Sequence, residues 1–388
     1  MQFVIGEIPP VAAIRLKGSL ARRKLLLVCA WFMLTRVVAV GATHLGATQM
    51  TETRRVDWNW GIHKGFLFQG TPPTPFLAPL VRWDANFYVA LARSGYPPRS
   101  DQRPYAVAFF PLYPLVLSAL GFLGVDTFWA AFAVSNLGAL AAALVLAMVR
   151  VPVAHRGVAF RSALLLLASP GSNFLSYPYP ESLFALFLCA AFVALLNERL
   201  LVAGAFGALA TATRSAGAVV PVALLVEAWR HRHNRQASRK YLAAAILSLV
   251  GVGLFAIWCS GHYGDAFAFA RIQEHYDRAL SILGPVKALL RFNVDPDYYL
   301  VTLVALVAAI WMALRPPLWR AVAAAFLLWL PMATGTLKAM IRYQGVNVPL
   351  LMGVSQALFG RRFRIVLAAS MTLMTLEAIL FGMGIGHY

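Results

Sequence analysis

Residues 15–42 read RLKGSLARRKLLLVCAWFMLTRVVAVGA. A basic cluster over 15–24 runs directly into the apolar segment 25–42. That segment exceeds the roughly 7–15 residues of a signal-peptide core, and no convincing A-x-A cleavage site follows it. It approaches the roughly 20 residues that cross a bilayer as helix, so it is expected to stay in the membrane with its cationic end on the cytoplasmic side.

The same punctuation recurs along the chain. Basic residues cluster at 15–24, 150–161, 199, 230–240, 315–320 and 361–364. If every cluster faces the cytoplasm, an even number of crossings must separate each from the next. Segments 25–45 and 127–149 form one pair, and 161–176 and 181–198 the next. The stretch 200–228 is too short for two perpendicular spans, so it reads as two short helices meeting near Arg214 and lining a cavity. Segments 241–259, 298–314, 320–336, 346–359 and 365–384 complete eleven spans, with the N-terminus inside and the C-terminus outside. The apolar segment 109–125 breaks this parity, and Pro111 and Pro114 spoil it as a straight helix. It is expected to be re-entrant or interfacial.

Composition agrees. Hydrophobic residues make up 60% of the 388 and charged residues only 13%, against roughly 45–50% and about 25% in soluble domains. A disordered chain is excluded by the hydrophobicity. The net charge of +19 would suit a nucleic-acid binder, but the chain has too little polar residue to cover a soluble globule, so nucleic acid is not expected as a partner. Cys29, Cys189 and Cys259 each sit in apolar runs and read as small core residues. The expected fold class is thus an all-α polytopic membrane protein, one transmembrane domain over 1–388. Its two long outer loops, 46–108 and 260–297, gather nine acids: Glu52, Asp57, Asp84, Asp101, Asp265, Glu274, Asp277, Asp295 and Asp297.

Chemistry is therefore sought on the outer side. In RWDANFYVALARSGYP (82–97), Phe87, Tyr88, Leu91 and Ala92 share one helical face, which predicts an amphipathic helix along the interface. Asp84 precedes that face as either an N-cap or a carboxylate held beside an apolar cavity, and Trp83 reads as an aromatic anchor. Glu181, in SYPYPESLF (176–184), suits a helix N-terminus. Arg214 lies inside an apolar stretch, where an arginine needs a partner or a function; it would bind a phosphate or neutralise Glu181. Arg342, in MIRYQGVNVP (340–349), would snorkel or bind an anion. In YGDAFAFARIQEHYDR (263–278), Arg271, His275 and Arg278 stack on one face if the segment is α-helical, which suits an anionic headgroup. HExxH, CxxC, P-loop and GxGxxG patterns are missing, so neither zinc nor nucleotide energy is indicated.

Taken in order, RWDANFYVALARSGY (82–96), AFFPLYPL (108–115), SPGSNFLSYPYPESLFAL (169–186), ATRSAG (212–217), YGDAFAFARIQEHYDR (263–278) and RYQGVNVP (342–349) resemble the PIG-V family, the GPI mannosyltransferase 2 type, and its bacterial relatives. The resemblance implies a GT-C-type bundle whose first extracytoplasmic loop, containing interfacial helices, carries the catalytic acid. It implies an inverting membrane mannosyltransferase with a polyprenyl-phosphate mannose donor and a glycolipid or glycan acceptor among membrane lipids. Asp84 would be the general base. Arg214, Arg342 and Arg271 would hold the donor phosphate, and Trp83, Glu181, Gln273, His275 and Tyr343 would support the acceptor or the site. No cofactor is required by this scheme, and a divalent metal is not indicated. Two departures stand out: Pro180 replaces a small residue before Glu181, and His275-Tyr276 stands where an aromatic such as Trp is expected. The alternatives are a flippase for a lipid-linked sugar or a non-catalytic subunit of a transferase complex with an accessory partner. A bacterial plasma membrane is the expected location, or the ER membrane in a eukaryote, with the site outside the cytoplasm.

Overall fold

The computed structural model describes residues 18–50, 74–99, 105–148, 156–276, 278–292 and 294–386. Glu52, Asp57, Asp101 and Asp277 of the acidic loops lie outside the described residues, as does the side chain of His275. Among the described residues the chain is helical, with no strand.

Among the described residues fourteen helices reach ten residues or more: α1 (Gly18–Thr48), α2 (Asp84–Ser94), α3 (Leu112–Phe122), α4 (Thr127–Met148), α5 (Arg156–Ala168), α6 (Glu181–Leu196), α7 (Leu200–Thr213), α8 (Val219–Arg230), α9 (Arg235–Ser248), α10 (Val250–Tyr263), α11 (Pro296–Ala313), α12 (Leu318–Met332), α13 (Val348–Ala357) and α14 (Gly360–Gly382). Residues 22–48 of α1, and the whole of α4, α11 and α14, are long and apolar enough to cross a membrane. Helices α3, α6, α7, α12, α13 and most of α5 are apolar but shorter.

The outer surface identifies the solvent. On α11, Leu300, Leu303, Val304, Val307 and Ile310 are exposed at helical spacing, while Thr302, Ala305, Ala309 and Met312 on the opposite face are buried. A helix that is apolar toward both its core and its surroundings is built for lipid. The chain is a membrane protein.

Helix α1 packs on α14, α4 on α6, α6 on α7, α7 on α9, and α8 on both α9 and α12. The α1–α14 crossing rests on glycines: a Cβ on Gly46 would lie 2.0 Å from the Ile379 carbonyl, and one on Gly382 2.1 Å from that of Thr43. Small residues let two helix backbones meet where lipid offers no hydrophobic drive to press them together.

Three sequence expectations change in the structure. The segment expected as the span 241–259 falls in a pair of helices, α9 and α10, bent by 40°. The Thr211 hydroxyl of α7 donates to the Ser248 carbonyl at 2.8 Å, and a side chain inserted into the helical ladder is a recognised cause of a kink. Helix α2 is more than an interfacial helix, because Ala85, Val89 and Ala90 are buried along with Tyr88, Leu91 and Ala92. The third change is in the second outer loop. Ala268–Arg271 forms a single α turn and Ile272–Tyr276 a 3-10 turn, so the α spacing that would stack Arg271, His275 and Arg278 is not formed.

Candidate active site

Two carboxylates sit at the first residues of two helices. Asp84 opens α2 and Glu181 opens α6, where the positive end of the helix dipole favours a negative charge. Asp84 is not a cap: Trp83 occupies the N-cap position, with no side-chain cap bond. Trp83 itself has φ 46°, a left-handed conformation that costs an aromatic residue about 1–3 kcal/mol. Its ring packs edge-on against Phe381 of α14 at 4.8 Å, which holds the turn in that shape. The turn delivers Asp84 inward.

Arg342 joins the two carboxylates. It lies in a short helix, Met340–Gly345, and is 3% exposed rather than snorkelling to the surface. Its Nη1 donates to Asp84 Oδ2 at 2.6 Å, and its Nε lies 3.3 Å from Glu181 Oε1. Glu181 Oε1 also accepts from Arg214 Nη1. Arg214 is the extended residue between α7 and the 3-10 turn Ser215–Ala218 that leads into α8. The result is a chain of alternating charge, Asp84–Arg342–Glu181–Arg214. The cluster sums to zero, so its two arginines are already occupied by carboxylates. The resemblance assigned both to the donor phosphate.

Aromatic rings insulate the cluster. Tyr343 lies between the guanidiniums, 4.6 Å from Arg214 Cζ and 5.5 Å from Arg342 Cζ. Tyr179 and Phe174 cover Arg342 at 5.4 Å and 5.8 Å, and Phe184 covers Arg214 at 5.7 Å. Each ring face attracts the cation while excluding water. Exposure divides the four charges sharply: the side chain of Asp84 is 24% exposed, against 4% for Arg342, 1% for Glu181 and 9% for Arg214. Asp84 is the open end. Its Oδ1 accepts no hydrogen bond from the described residues.

Burial alone would raise the Asp84 carboxyl, but the Arg342 guanidinium, then Arg278 and Arg214, outweigh it and carry the pKa below the usual aspartate value. Burial likewise opposes ionisation of Tyr343, yet Arg214, Arg342 and Arg278 bring its phenol below the ordinary value. Asp84 is therefore ionised at neutral pH.

The supports come from distant parts of the chain. Arg36, in the middle of α1, is buried and donates to the carbonyls of Ser172 at 2.5 Å and Leu167 at 2.6 Å and to the hydroxyls of Ser172 and Ser176 at 3.3 Å. It satisfies its charge with neutral oxygens and pins the 3-10 turn Pro170–Leu175. The Tyr179 hydroxyl donates to the Arg82 carbonyl at 2.8 Å, tying that segment to the turn that carries Asp84. A Cβ on Gly171 would fall 2.2 Å from the Ile341 carbonyl oxygen, so the turn lies directly on the backbone that bears Arg342. Asn347 donates to Ala324 of α12 and to Gln344, and caps α13. Tyr88, one turn after Asp84, packs edge-on to Phe109 at 5.1 Å and Tyr113 at 5.4 Å, which accounts for the AFFPLYPL segment.

Residues 73–259 match the family model described as Mannosyltransferase (PIG-V). Over those residues, just under half of the chain, the protein is similar to the PIG-V family. The match supports a mannosyltransferase role. The match includes Asp84, Glu181 and Arg214, while Arg342 and Tyr343 lie beyond it and are joined to it by the geometry. A search of curated proteins finds no match.

The structure thus brings together Asp84, Glu181, Arg214, Arg342, Trp83 and Tyr343. It does not bring in Arg271, which is exposed and pairs with Asp265 at 3.3 Å. Gln273 accepts the Arg278 backbone N–H through its carbonyl at 3.0 Å. Sequence reading missed Arg36, Phe174 and Tyr179 as parts of the site. An arginine within the apolar run 25–42 was the available signal for Arg36; the aromatic pair lay unremarked in the segment that yielded Glu181. Among the described residues no group of three or more His, Cys, Asp or Glu side chains could hold a metal ion.

Proposed function

We propose that the protein is an inverting mannosyltransferase that uses a polyprenyl-phosphate mannose donor, with Asp84 as general base. The observation that carries this reading is the contrast in exposure: Asp84 opens to the surroundings while its three charge partners are sealed. A carboxylate held rigid on one side, with an oxygen on the other that none of the described residues engages, is the geometry of a base waiting for a hydroxyl.

In the reaction, Asp84 Oδ1 takes the proton of the acceptor hydroxyl as that oxygen forms a bond to C1 of mannose. The bond from C1 to the phosphate oxygen breaks on the opposite face, and the polyprenyl phosphate leaves with the electron pair. Phosphate is a stable anion, so no second carboxyl is needed as an acid, unlike the two-carboxyl chemistry of glycoside hydrolysis. Arg342 orients Asp84 and keeps it ionised. Glu181 and Arg214 hold Arg342 in place, and Tyr343, Tyr179 and Phe174 keep water from the pairs. Trp83 fixes the turn.

The acceptor is a hydroxyl of a glycolipid or glycan. On this reading the domain spans the membrane several times in the GT-C manner, with the loops 46–108 and 260–297, and the site, on the extracytoplasmic face of a bacterial plasma membrane. The +19 charge, concentrated in the loops assigned to the cytoplasm, supports that orientation.

The test is incubation of purified protein with radiolabelled polyprenyl-phosphate β-mannose and a membrane lipid extract. The anomeric configuration of the labelled product is then determined by linkage-specific mannosidase digestion. An α-mannoside is expected. A β-mannoside would overturn the single-displacement scheme.

A further inference from the structure

The site described above lacks uncompensated positive charge for a leaving phosphate, because Arg214 and Arg342 are matched by Glu181 and Asp84. Such charge lies next to it. Glu274, residues 278–281, Lys287, Arg291, residues 334–336 and Lys338 line an open cavity of about 550 Å³ whose wall, among the described residues, carries Arg278, Lys287, Arg291 and Lys338 against the one acid Glu274, with the Thr336 hydroxyl among them. Among the described residues none of these four cations forms an ion pair. One of its lining residues, Arg278, is near enough to the base to act electrostatically on both Asp84 and Tyr343.

The frame is anchored. The Ser281 N–H donates to the Ala333 carbonyl at the end of α12 at 2.8 Å, and Arg291 Nη1 donates to the Gly335 carbonyl at 3.2 Å. These bonds hold two segments, far apart in sequence, as facing walls. The outer side of the same frame is apolar: Ile282 is 90% exposed, and Leu283, Val286 and Leu290 are also exposed. Cations facing a cavity and bare aliphatic side chains behind them match a ligand with a phosphate head and a hydrocarbon tail.

We propose that this cavity binds the phosphate of a lipid-anchored phosphate ester, with the chain lying along Ile282, Leu283, Val286 and Leu290. The proposal rests on the mannosyltransferase reading only in naming the occupant as the donor; there it supplies the anion site that the neutral cluster lacks, beside the base that receives the acceptor proton. Lys287 and Lys338 are exposed side chains at the cavity wall, so replacing them leaves the packing of the fold untouched.

The experiment is isothermal titration of the purified full chain in detergent with farnesyl phosphate, for wild type, Lys287→Ala, Lys338→Ala and the double variant. Farnesol and inorganic phosphate serve as comparison ligands. Each lysine removed is expected to weaken farnesyl phosphate about tenfold, the loss of one charged hydrogen bond. Farnesol is expected not to displace it, and inorganic phosphate only in large excess. Wild-type affinity in the double variant, or farnesol binding as well as its phosphate, would overturn the proposal. Displacement by an equal concentration of inorganic phosphate would keep the anion site and overturn the role of the apolar rim. Lysine-dependent binding without any mannosyl transfer would instead defeat the enzymatic reading and leave the cavity standing. Transfer that persists while the double variant binds as wild type would do the reverse.

Discussion

Replacing Gly171 with alanine adds one methyl group at the point where the 170–175 turn lies on the backbone of Ile341 and Arg342. The new Cβ would stand 2.2 Å from the Ile341 carbonyl oxygen and 3.0 Å from Arg342 Cα, whereas ordinary contact begins at 3.4 Å. Backbone atoms cannot swing aside as a flexible side chain can, so the two segments must part by about 1.2 Å. A retreat of that size stretches the 2.6 Å bond from Arg342 to Asp84 beyond hydrogen-bond range. Overpacking of this kind costs about 1–3 kcal/mol, less than the total stability of a typical domain, so the protein still folds. A misplacement of about 1 Å at a catalytic group costs on the order of a hundredfold in rate. The expected result is a kcat for mannosyl transfer down about a hundredfold with a modest fall in Tm. Gly41, which has nothing within 4 Å of its virtual Cβ, supplies the control: Gly41→Ala in α1 should retain full activity. Wild-type turnover by Gly171→Ala would refute the claim that the turn positions Arg342.

Three further outcomes follow from the charge cluster. Glu181→Gln leaves two buried guanidiniums facing one carboxylate; breaking a buried pair in this way costs about 3–5 kcal/mol, to be read as a large drop in Tm in detergent, and an unchanged Tm would show that the pairs do not hold the site together. Arg342→Lys replaces a planar fork with a point charge that cannot reach Asp84 and Glu181 together; kcat should fall about a hundredfold, while Arg214→Lys, which has one carboxylate to satisfy, should fall less, and equal losses would contradict the central place of Arg342. The pH dependence has a definite sign. Asp84 has a lowered pKa in the folded protein, so its pairing with Arg342 contributes stability fully above the unfolded value near 3.9 and loses it as pH falls through the folded value. The rate kcat/KM should therefore show no acid limb from Asp84 between about pH 5 and 8, and a limb with a midpoint near 6–7 that vanishes in Asp84→Asn would mean that the carboxyl is raised instead.

The sequence is informative wherever one residue alone has an unavoidable consequence. An arginine between two apolar segments needs a partner, and the pairing of Arg214 with Glu181 was one of the two functions expected of it. The break between α7 and α8 is legible for the same reason, since a residue of that polarity and the glycine after it interrupt an apolar helix. Asp84 stood out as a carboxylate beside an apolar face, but its position could be read as a cap, because capping preferences are local and the deciding partner, Arg342, is 258 residues away. Arg342 looked like a snorkelling side chain on the same local grounds. The bend at Leu249 was hidden because it follows from Thr211 on another helix. The cationic cavity was out of reach because Arg278 and Lys338 meet only after α12 folds back. The expected stack of Arg271, His275 and Arg278 failed because it assumed an α-helix where the chain tightens into a 3-10 turn.

The central claim is that Asp84, alone among four linked charges, touches the acceptor. Mannosyl transfer from radiolabelled polyprenyl-phosphate mannose to membrane lipid extract, measured for wild type and Asp84→Asn side by side, tests it most directly. Asparagine keeps the size of the side chain and an oxygen for Arg342 but cannot take a proton. Label passing to product with wild type and not with Asp84→Asn, both proteins folded and both binding donor, is the predicted result. Transfer by Asp84→Asn at the wild-type rate would contradict it.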